Sequence, residues 1–269
     1  MPINVNGPSL TSASQSARSS VSTSFERVSS GKQINSAMDG AAELSVASRI
    51  SAQAKGLDVA SRNAGDAISL TQVADGALGS LNDNLQRIRE LALQSANGTL
   101  TDQDRQGLAA EANQLNEENQ SILENTRFNG VRIFSDDNNL NFQIGPNAGD
   151  QLSVEGQNLT QQLADSGINT IDLSTQQNAF SALGVLDDAA EKISARASEV
   201  GATANRISST VDQRQSSQLN ATATQSRVED ADIAKALTDI SAGLIQEQAQ
   251  IAIQAQANAQ RGSVLQLLK

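Results

Sequence analysis

The chain contains no Cys, His, Trp or Tyr, and its five Phe residues are its only aromatic side chains. The lack of Cys excludes disulfide bonds, and the lack of both Cys and His excludes the usual zinc ligand sets. It also excludes a Ser-His-Asp or Cys-His nucleophile and an imidazole base. Carboxylates, Ser, Lys and Arg remain available to an enzyme, but they form no recognisable site. We therefore expect a non-enzymatic protein without catalytic residues, cofactor or metal.

The net charge of −11 is unevenly distributed along the 269 residues. Residues 1–42 and 226–269 together are neutral, so residues 43–225 carry the whole negative excess. An acidic chain with few aromatic rings lacks the basic clusters and stacking platforms that nucleic-acid binding requires, and no nucleic-acid partner is expected. The charge pattern predicts that the middle of the chain faces water and that both ends face protein.

Long apolar runs are also missing. No stretch approaches the roughly 18 consecutive apolar residues of a membrane span, so no membrane insertion is expected. Residues 1–30 lack the continuous apolar run of a cleaved signal peptide. The sequence therefore predicts a protein that stays in the cytoplasm or is exported by a route that reads no cleaved signal.

Both ends of the chain have the apolar repeat of about 3.6 residues that is typical of amphipathic helices. A first helix is predicted over about residues 5–33, and a last helix is predicted to begin at a Ser226–Glu229 capping box and to continue almost to Lys269. Because their apolar stripes are nearly free of charge, other molecules are expected to bury them. The residues predicted to pack in this way are Val21, Phe25, Val28, Ile233, Leu237, Ile240, Leu244, Ile251, Leu265 and Leu268.

Heptad spacing predicts a helical bundle in the middle of the chain. A long helix is predicted over about residues 42–97 after a Ser36–Asp39 start signal, and a third over about residues 102–125, capped by Thr101 with Asp104. The heptad seam of the long helix is expected to pack against a second seam later in the chain. The predicted core residues are Leu78, Leu81, Leu85, Ile88, Leu183, Leu186, Ile193, Val200, Ile207 and Val211.

The spacing of apolar residues changes after Asn129-Gly130. Apolar and polar residues then alternate in short segments, as in β-strands, and turn residues separate these segments. The predicted fold class is mainly α: an elongated antiparallel helical bundle or coiled-coil rod with a small β-hairpin region, and long N- and C-terminal helices that pair as an assembly module. The predicted domains are an N-terminal helix (1–42), rod helices (43–130), a β-hairpin region (131–156), a surface loop (157–176), a C-terminal rod helix (177–225) and a C-terminal helix (226–269).

Several segments of the chain resemble the signatures of bacterial flagellins. They are residues 26–37 (ERVSSGKQINSA), 85–97 (LQRIRELALQSAN), 128–130 (FNG), 226–232 (SRVEDAD), 256–258 (QAN) and 264–268 (VLQLL). The resemblance covers nearly the whole chain in order. With only about twenty residues between the hairpin region and the C-terminal rod helix, the chain resembles a short flagellin without the variable outer domains.

The resemblance implies a structural subunit that polymerises with itself into the hollow filament of the bacterial flagellum, with the terminal helices forming an inner tube. It implies an extracellular filament, export through the flagellar secretion channel, and an export chaperone on the C-terminal helix. Hook-junction and cap proteins are further implied partners. A surface of Arg87, Leu91, Gln94 and Glu111 is implied between neighbouring subunits and, as a second use, for the flagellin-sensing toll-like receptor.

Two other interpretations remain open on the sequence. The hook–filament junction protein shares the terminal helices but does not form long filaments alone. A soluble coiled-coil adaptor would form a discrete oligomer instead of a filament.

Overall fold

The computed structural model describes the backbone of residues 8–267 and the side chains of residues 15–260. Leu265 and Leu268, both predicted to act in assembly, therefore lie outside the described side chains. Most of the described chain is helical: α1 Pro8–Ser30, α2 Ala41–Ser95, α3 Asp102–Asn125, α4 Leu159–Asp165, α5 Gln176–Glu229 and α6 Ile233–Leu267. The short strands are β1 Arg127–Phe128, β2 Val131–Arg132, β3 Leu140–Gln143 and β4 Gln151–Val154, and a 3-10 turn spans Ile168–Thr170. The predicted fold class is confirmed.

The chain divides into two compact units. The central unit is Lys55–Gln218, and the terminal unit contains the residues up to Ala54 together with those from Leu219 onward. The predicted domain boundaries near residues 42 and 226 therefore fall inside the terminal unit, because α2 and α5 continue through them without a break. No helix in the described part of the chain is both long and apolar enough to cross a membrane.

The core of the central unit is formed largely by α2 and α5. Its buried α2 residues include Leu78, Leu81, Leu85 and Ile88, and its buried α5 residues include Leu186, Ile193, Val200 and Ile207. Leu183 and Val211 are half-buried against this core. The two helices are also joined by an ion pair between Arg89 and Asp187, with 2.9 Å between Nε and Oδ1.

The buried stripe of α5 is wider than one heptad seam. Ala179, Ala182 and Ala189 are buried beside the predicted positions. On the same helix, Arg196 Nη2 donates to the carbonyl of Glu155 over 2.9 Å. The sequence prediction missed these alanines because α5 contacts the segment that precedes it as well as α2.

Local side-chain chemistry sets the junction between α2 and α3. Thr101 and Asp104 form a reciprocal capping box at the start of α3. The buried guanidinium of Arg105 donates to the carbonyl of Ser95 at the end of α2 and to those of Asn97 and Leu100 in the turn that follows. The chain therefore reverses direction here with its helix-terminal backbone groups satisfied.

The β region begins earlier than predicted. Asn129 and Gly130, with φ of 49° and 83°, form the two-residue turn of a β1–β2 hairpin in which Phe128 pairs with Val131. Positive φ at both positions is the requirement of a type I′ turn, which favours Asn-Gly. The second hairpin pairs β3 with β4 from Leu140–Val154 to Gln143–Gln151. Asn129-Gly130 is thus part of the β region and not its border.

The prediction of a surface loop over residues 157–176 is wrong. Asn158 caps α4 by accepting a hydrogen bond from the Gln161 backbone N–H over 2.9 Å. Apolar side chains of this segment belong to the hydrophobic core of the central unit, while its Gln, Asn and Asp residues are exposed or half-buried. The buried residues are Leu159, Leu163, Ile168 and Leu173.

The predicted start of the last helix is also wrong. α5 continues to Glu229, and α6 begins at Ile233, where Asp232 accepts from the Lys235 backbone N–H over 3.0 Å. Ser226 bonds the side chain of Asp230 instead of capping a helix. Similarly, Ser36 and Asp39 bond each other in a turn that ends before α2 begins at Ala41.

Candidate assembly surface of the terminal helices

Helices α1 and α6 pack side by side within one chain. Arg18 pairs with Glu247, with 2.8 Å between Nε and Oε1, while the carbonyl of Gly31 accepts from the Ala231 backbone N–H over 2.9 Å. Residue numbers rise along α1 as they fall along α6, so the two helices are antiparallel.

The seam between the two helices consists mainly of small side chains, and Ile240 is its one large buried residue among those described. Ala17 and Ser24 of α1 and Ala236 and Ile240 of α6 are buried, and Val21 packs onto Gly243. A Cβ atom on Gly243 would lie 2.3 Å from Val21 Cγ2. Glycine is therefore favoured at this crossing, since a larger residue would displace the Val21 side chain or push the helices apart.

The seam takes up only part of the predicted apolar stripe. Val21, Val28 and Ile240 are buried or half-buried within the chain, whereas Phe25 remains 65% exposed, Leu237 50% and Leu244 45%. Ile233 and Ile251 are also exposed. The larger apolar side chains therefore remain available to other molecules.

These exposed side chains share one side of the helix pair. Side chains advance about 100° per residue, so Phe25 and the exposed α6 residues lie about 60–100° from the seam in the same rotational sense. In two antiparallel helices, side chains that are displaced from the seam in the same rotational sense, each about its own helix axis, lie on the same side of the pair. We call this surface the apolar face: Phe25, Ile233, Leu237, Leu244 and Ile251. A groove of about 620 Å³ lies beside Phe25, lined also by Arg18, Ser22 and Ser29.

The opposite side of the helix pair is polar along residues 16–27 and 239–250, while Ile253 is exposed further along α6. A groove of about 890 Å³ is lined there by Ser16, Ser20, Thr23, Asp239 and Gln246. Hydroxyl and amide groups hydrogen-bond water readily, so this side has little to gain from burial. The pair thus has one face that favours association and one that favours hydration.

The ends of α1 and α5 are joined by a feature that the sequence did not predict. Gly31, with φ of 71°, ends α1, and the Gln33 backbone N–H donates to the Glu229 carbonyl over 2.7 Å. Lys32 Nζ bonds Glu229 Oε1, while Gln225 donates to Glu229 Oε2 over 2.9 Å. We call residues 31–33 with residues 229–231 the terminal clip. The ammonium of Lys32, followed by the Gln225 bond, lowers the pKa of the Glu229 carboxyl.

The structure brings together only part of the predicted surface on the central unit. Arg87 pairs with Glu111, with 2.7 Å between Nη2 and Oε1, and with Glu90, and these bonds raise the pKa of its guanidinium. Gln94 is exposed. Leu91, however, is only 1% exposed and belongs to the core, so its assignment to this surface is wrong. It turns toward the buried side of α2, where the rest of the heptad packs.

The comparisons with known proteins agree with these features. Residues 3–139 match the bacterial flagellin N-terminal helical region, and residues 183–268 match the C-terminal helical region. The chain is similar to the flagellin of Halalkalibacterium halodurans, with 37% identity over 91% of this chain and 90% of that one. It is 43% identical to the phase 1 flagellin of Salmonella naestved over 58% of its length, but spans only 32% of that longer protein.

Solved structures show the same likeness. Bacillus cereus flagellin aligns with a TM-score of 0.52 and 30% identity, over 57% of this chain and 88% of that chain. A putative flagellar hook-associated protein from Vibrio parahaemolyticus, at 15% identity, shares the fold with a TM-score of 0.60 over 71% of this chain and all of that one. The chain belongs to the bacterial flagellins, as the sequence resemblance implies, and is a structural subunit of the flagellar filament.

Proposed function

We propose that copies of this chain pack in the inner tube of the filament through the apolar face. The observation that carries the proposal is that the α1–α6 seam buries mainly small side chains, apart from Ile240, while most of the large ones remain exposed to water. Fully burying a Leu, Ile or Phe side chain contributes roughly 1.5–3 kcal/mol. Because the five side chains of this face are about half exposed, completing their burial contributes on the order of 4–8 kcal/mol, which lies within the roughly 4–15 kcal/mol cost of association.

A double substitution tests the proposal. Leu237→Gln with Leu244→Gln removes about 2–3 kcal/mol of burial, because each side chain has about half its surface left to cover, and should raise the critical concentration for polymerisation about a hundredfold. The measurement is sedimentation of polymer grown on seeds, with electron microscopy of the product. Deleting residues 235–269 should abolish filaments entirely.

Leu219→Gln is the matched control, because Leu219 is an exposed leucine on α5 outside the apolar face. It should polymerise like the parent chain. A double variant with the critical concentration of the parent would refute the proposed role of the face. Failure of the parent to elongate seeds would instead favour a hook–filament junction protein, and a discrete oligomer in solution scattering would favour an adaptor.

We propose the remaining partners on the same basis. An export chaperone covers the α6 part of the apolar face, since Leu237, Leu244 and Ile251 otherwise meet water during export through the secretion channel. Hook-junction and cap proteins meet the end copies of the filament through the same face. Gel filtration of the chaperone with the double variant tests the first contact, and loss of the complex is the expected result.

The exposed side chains of Arg87, Gln94 and Glu111 form a second proposed surface, on the central unit. Its primary role is contact between neighbouring copies, and the flagellin-sensing toll-like receptor uses the same residues. Glu111→Lys breaks the Arg87 pair and should weaken receptor binding. Unchanged binding by surface plasmon resonance would exclude this surface as the receptor site.

A further inference from the structure

The terminal clip is the place where the segment after α1 meets the segment after α5. Two backbone hydrogen bonds, of 2.7 and 2.9 Å, join Gln33 to Glu229 and Ala231 to Gly31 around a Lys32–Asp230 bridge. The clip closes the antiparallel α1–α6 pair at one end. It therefore determines which residue of α1 lies opposite which residue of α6.

The Lys32–Glu229 ion pair lies within the clip. The Glu229 side chain is 11% exposed and both its oxygens are bonded, one by Lys32 and the other by Gln225. The nearby carboxylate of Asp230 bonds Ser226, and that of Asp232 caps α6. Removing one partner of such a pair leaves a poorly solvated charge without compensation, which costs far more than the loss of an exposed pair.

Two contacts of the seam favour this register, namely Val21 against Gly243 and the Arg18–Glu247 ion pair, but Arg18 is 63% exposed and an exposed pair contributes little. The buried Ala17, Ser24 and Ala236 are small and give a neighbouring register little steric resistance. A shift of either helix by one residue rotates its side chains by about 100°. Such a shift would move Phe25 away from the side that carries Leu237 and Leu244.

We propose that Lys32 and Glu229 are positioning residues for polymerisation, which hold α1 and α6 in the register that assembles the apolar face. The proposal depends on assembly through that face. The pair makes no contact with a neighbouring copy in this role and acts through the alignment of the two helices.

Charge exchange in the full-length chain tests the proposal. Lys32→Glu and Glu229→Lys should each raise the critical concentration for seeded polymerisation at least about tenfold, since each places two like charges together. The double exchange restores an ion pair and should return the critical concentration to within about threefold of the parent. Circular dichroism checks that each variant retains its helices. Arg62→Glu, in the exposed Arg62–Asp58 pair of the central unit, is the control and should have no effect.

A pH profile provides a second readout. The pKa of Glu229 is lowered in the folded chain. The contribution of the Lys32–Glu229 pair to the stability of the clip is therefore complete above the ordinary Glu pKa of about 4.3, and it is lost as the pH falls through the lowered pKa. Glu229→Gln keeps the size of the side chain and removes its charge. Acid should raise the critical concentration of both proteins, because other carboxylates titrate in both. The rise should be larger in the parent, because only the parent loses the charge of Glu229.

Two results would overturn the positioning role: single exchanges that polymerise like the parent, or a double exchange that stays as weak as the single ones while the acid profile of Glu229→Gln matches that of the parent. These results differ from a failure of the proposed assembly face. In that case the Leu237 and Leu244 double variant polymerises normally, whatever the clip variants do.

Discussion

At the scale of single residues, Arg105 shows how a charge can be buried without a carboxylate against it. It is 5% exposed, and its guanidinium donates to one backbone carbonyl at the end of α2 and to two in the turn that follows. The C-terminal end of a helix carries unsatisfied carbonyls and partial negative charge, which a planar guanidinium with several donors matches well. Asp102 is the nearest acid, at 3.9 Å from Nε, and is itself exposed.

Replacement of Arg105 tests this arrangement. Arg105→Met keeps much of the volume but leaves buried carbonyls without donors, and should lower the free energy of unfolding of the central unit by about 3 kcal/mol. Arg105→Lys should recover only part of that loss, because an ammonium cannot fork to carbonyls spread over the turn. Urea denaturation followed by circular dichroism measures both. Arg62→Met, at an exposed position, should change stability by less than about 0.5 kcal/mol.

At the scale of elements, the α1–α6 pair depends on close approach at Gly243. Alanine is a better helix former than glycine by about 1 kcal/mol, so most exposed helical glycines gain from the exchange. At Gly243 the added methyl group would meet Val21 at 2.3 Å. The same substitution is therefore expected to have opposite effects at different glycines.

Gly243→Ala should raise the critical concentration for polymerisation several-fold, since overpacking costs about 1–3 kcal/mol. Gly65→Ala, on α2 where no atom beyond the adjacent residues and the nearby helix backbone lies within 4 Å of the added carbon, should leave assembly unchanged and stabilise the central unit by about 0.5–1 kcal/mol. Adding Val21→Ala to Gly243→Ala should recover assembly. No recovery in this pair would mean that Gly243 acts elsewhere than at the seam.

At the scale of the whole molecule, the two units differ in what holds them together. The central unit buries Leu, Ile and Phe side chains, including Leu78, Leu186 and Phe134. In the terminal unit the α1–α6 seam buries mainly Ala, Ser and Gly. Because buried apolar area supplies most of the stabilising free energy, the α1–α6 pair should be the less stable part of a free monomer.

Amide hydrogen exchange measures this difference. In the monomer, amides of residues 15–30 and 233–260 should exchange at least about a hundredfold faster than those of residues 78–92 and 186–207. In the filament both sets should be protected, because neighbouring copies cover the apolar face. Equal protection of the two sets in the monomer would show that the terminal helices are stable without partners.

Much of the fold follows from local patterns. The bounds of α3 follow from the Thr101–Asp104 cap and from the apolar period, both of which act within one turn of helix. The α2 seam is likewise readable, since Leu and Ile at heptad spacing have few alternatives to burial. In contrast, Leu159, Leu163, Ile168 and Leu173 stand among polar residues, and their burial depends on the surface that α2 and α5 offer them.

The sequence alone establishes the family, the helical class and the presence of apolar stripes at both ends of the chain, because these depend on residue order and period. It does not establish which residues of those stripes are buried within the chain and which remain exposed. The fold assigns Val21, Val28 and Ile240 to the seam and leaves Phe25, Leu237 and Leu244 outside. It also pairs Lys32 with Glu229 across most of the chain length. Both outcomes depend on contacts between side chains that are far apart in the sequence and come together only when the chain has packed. The local period of apolar residues carries no information about such contacts.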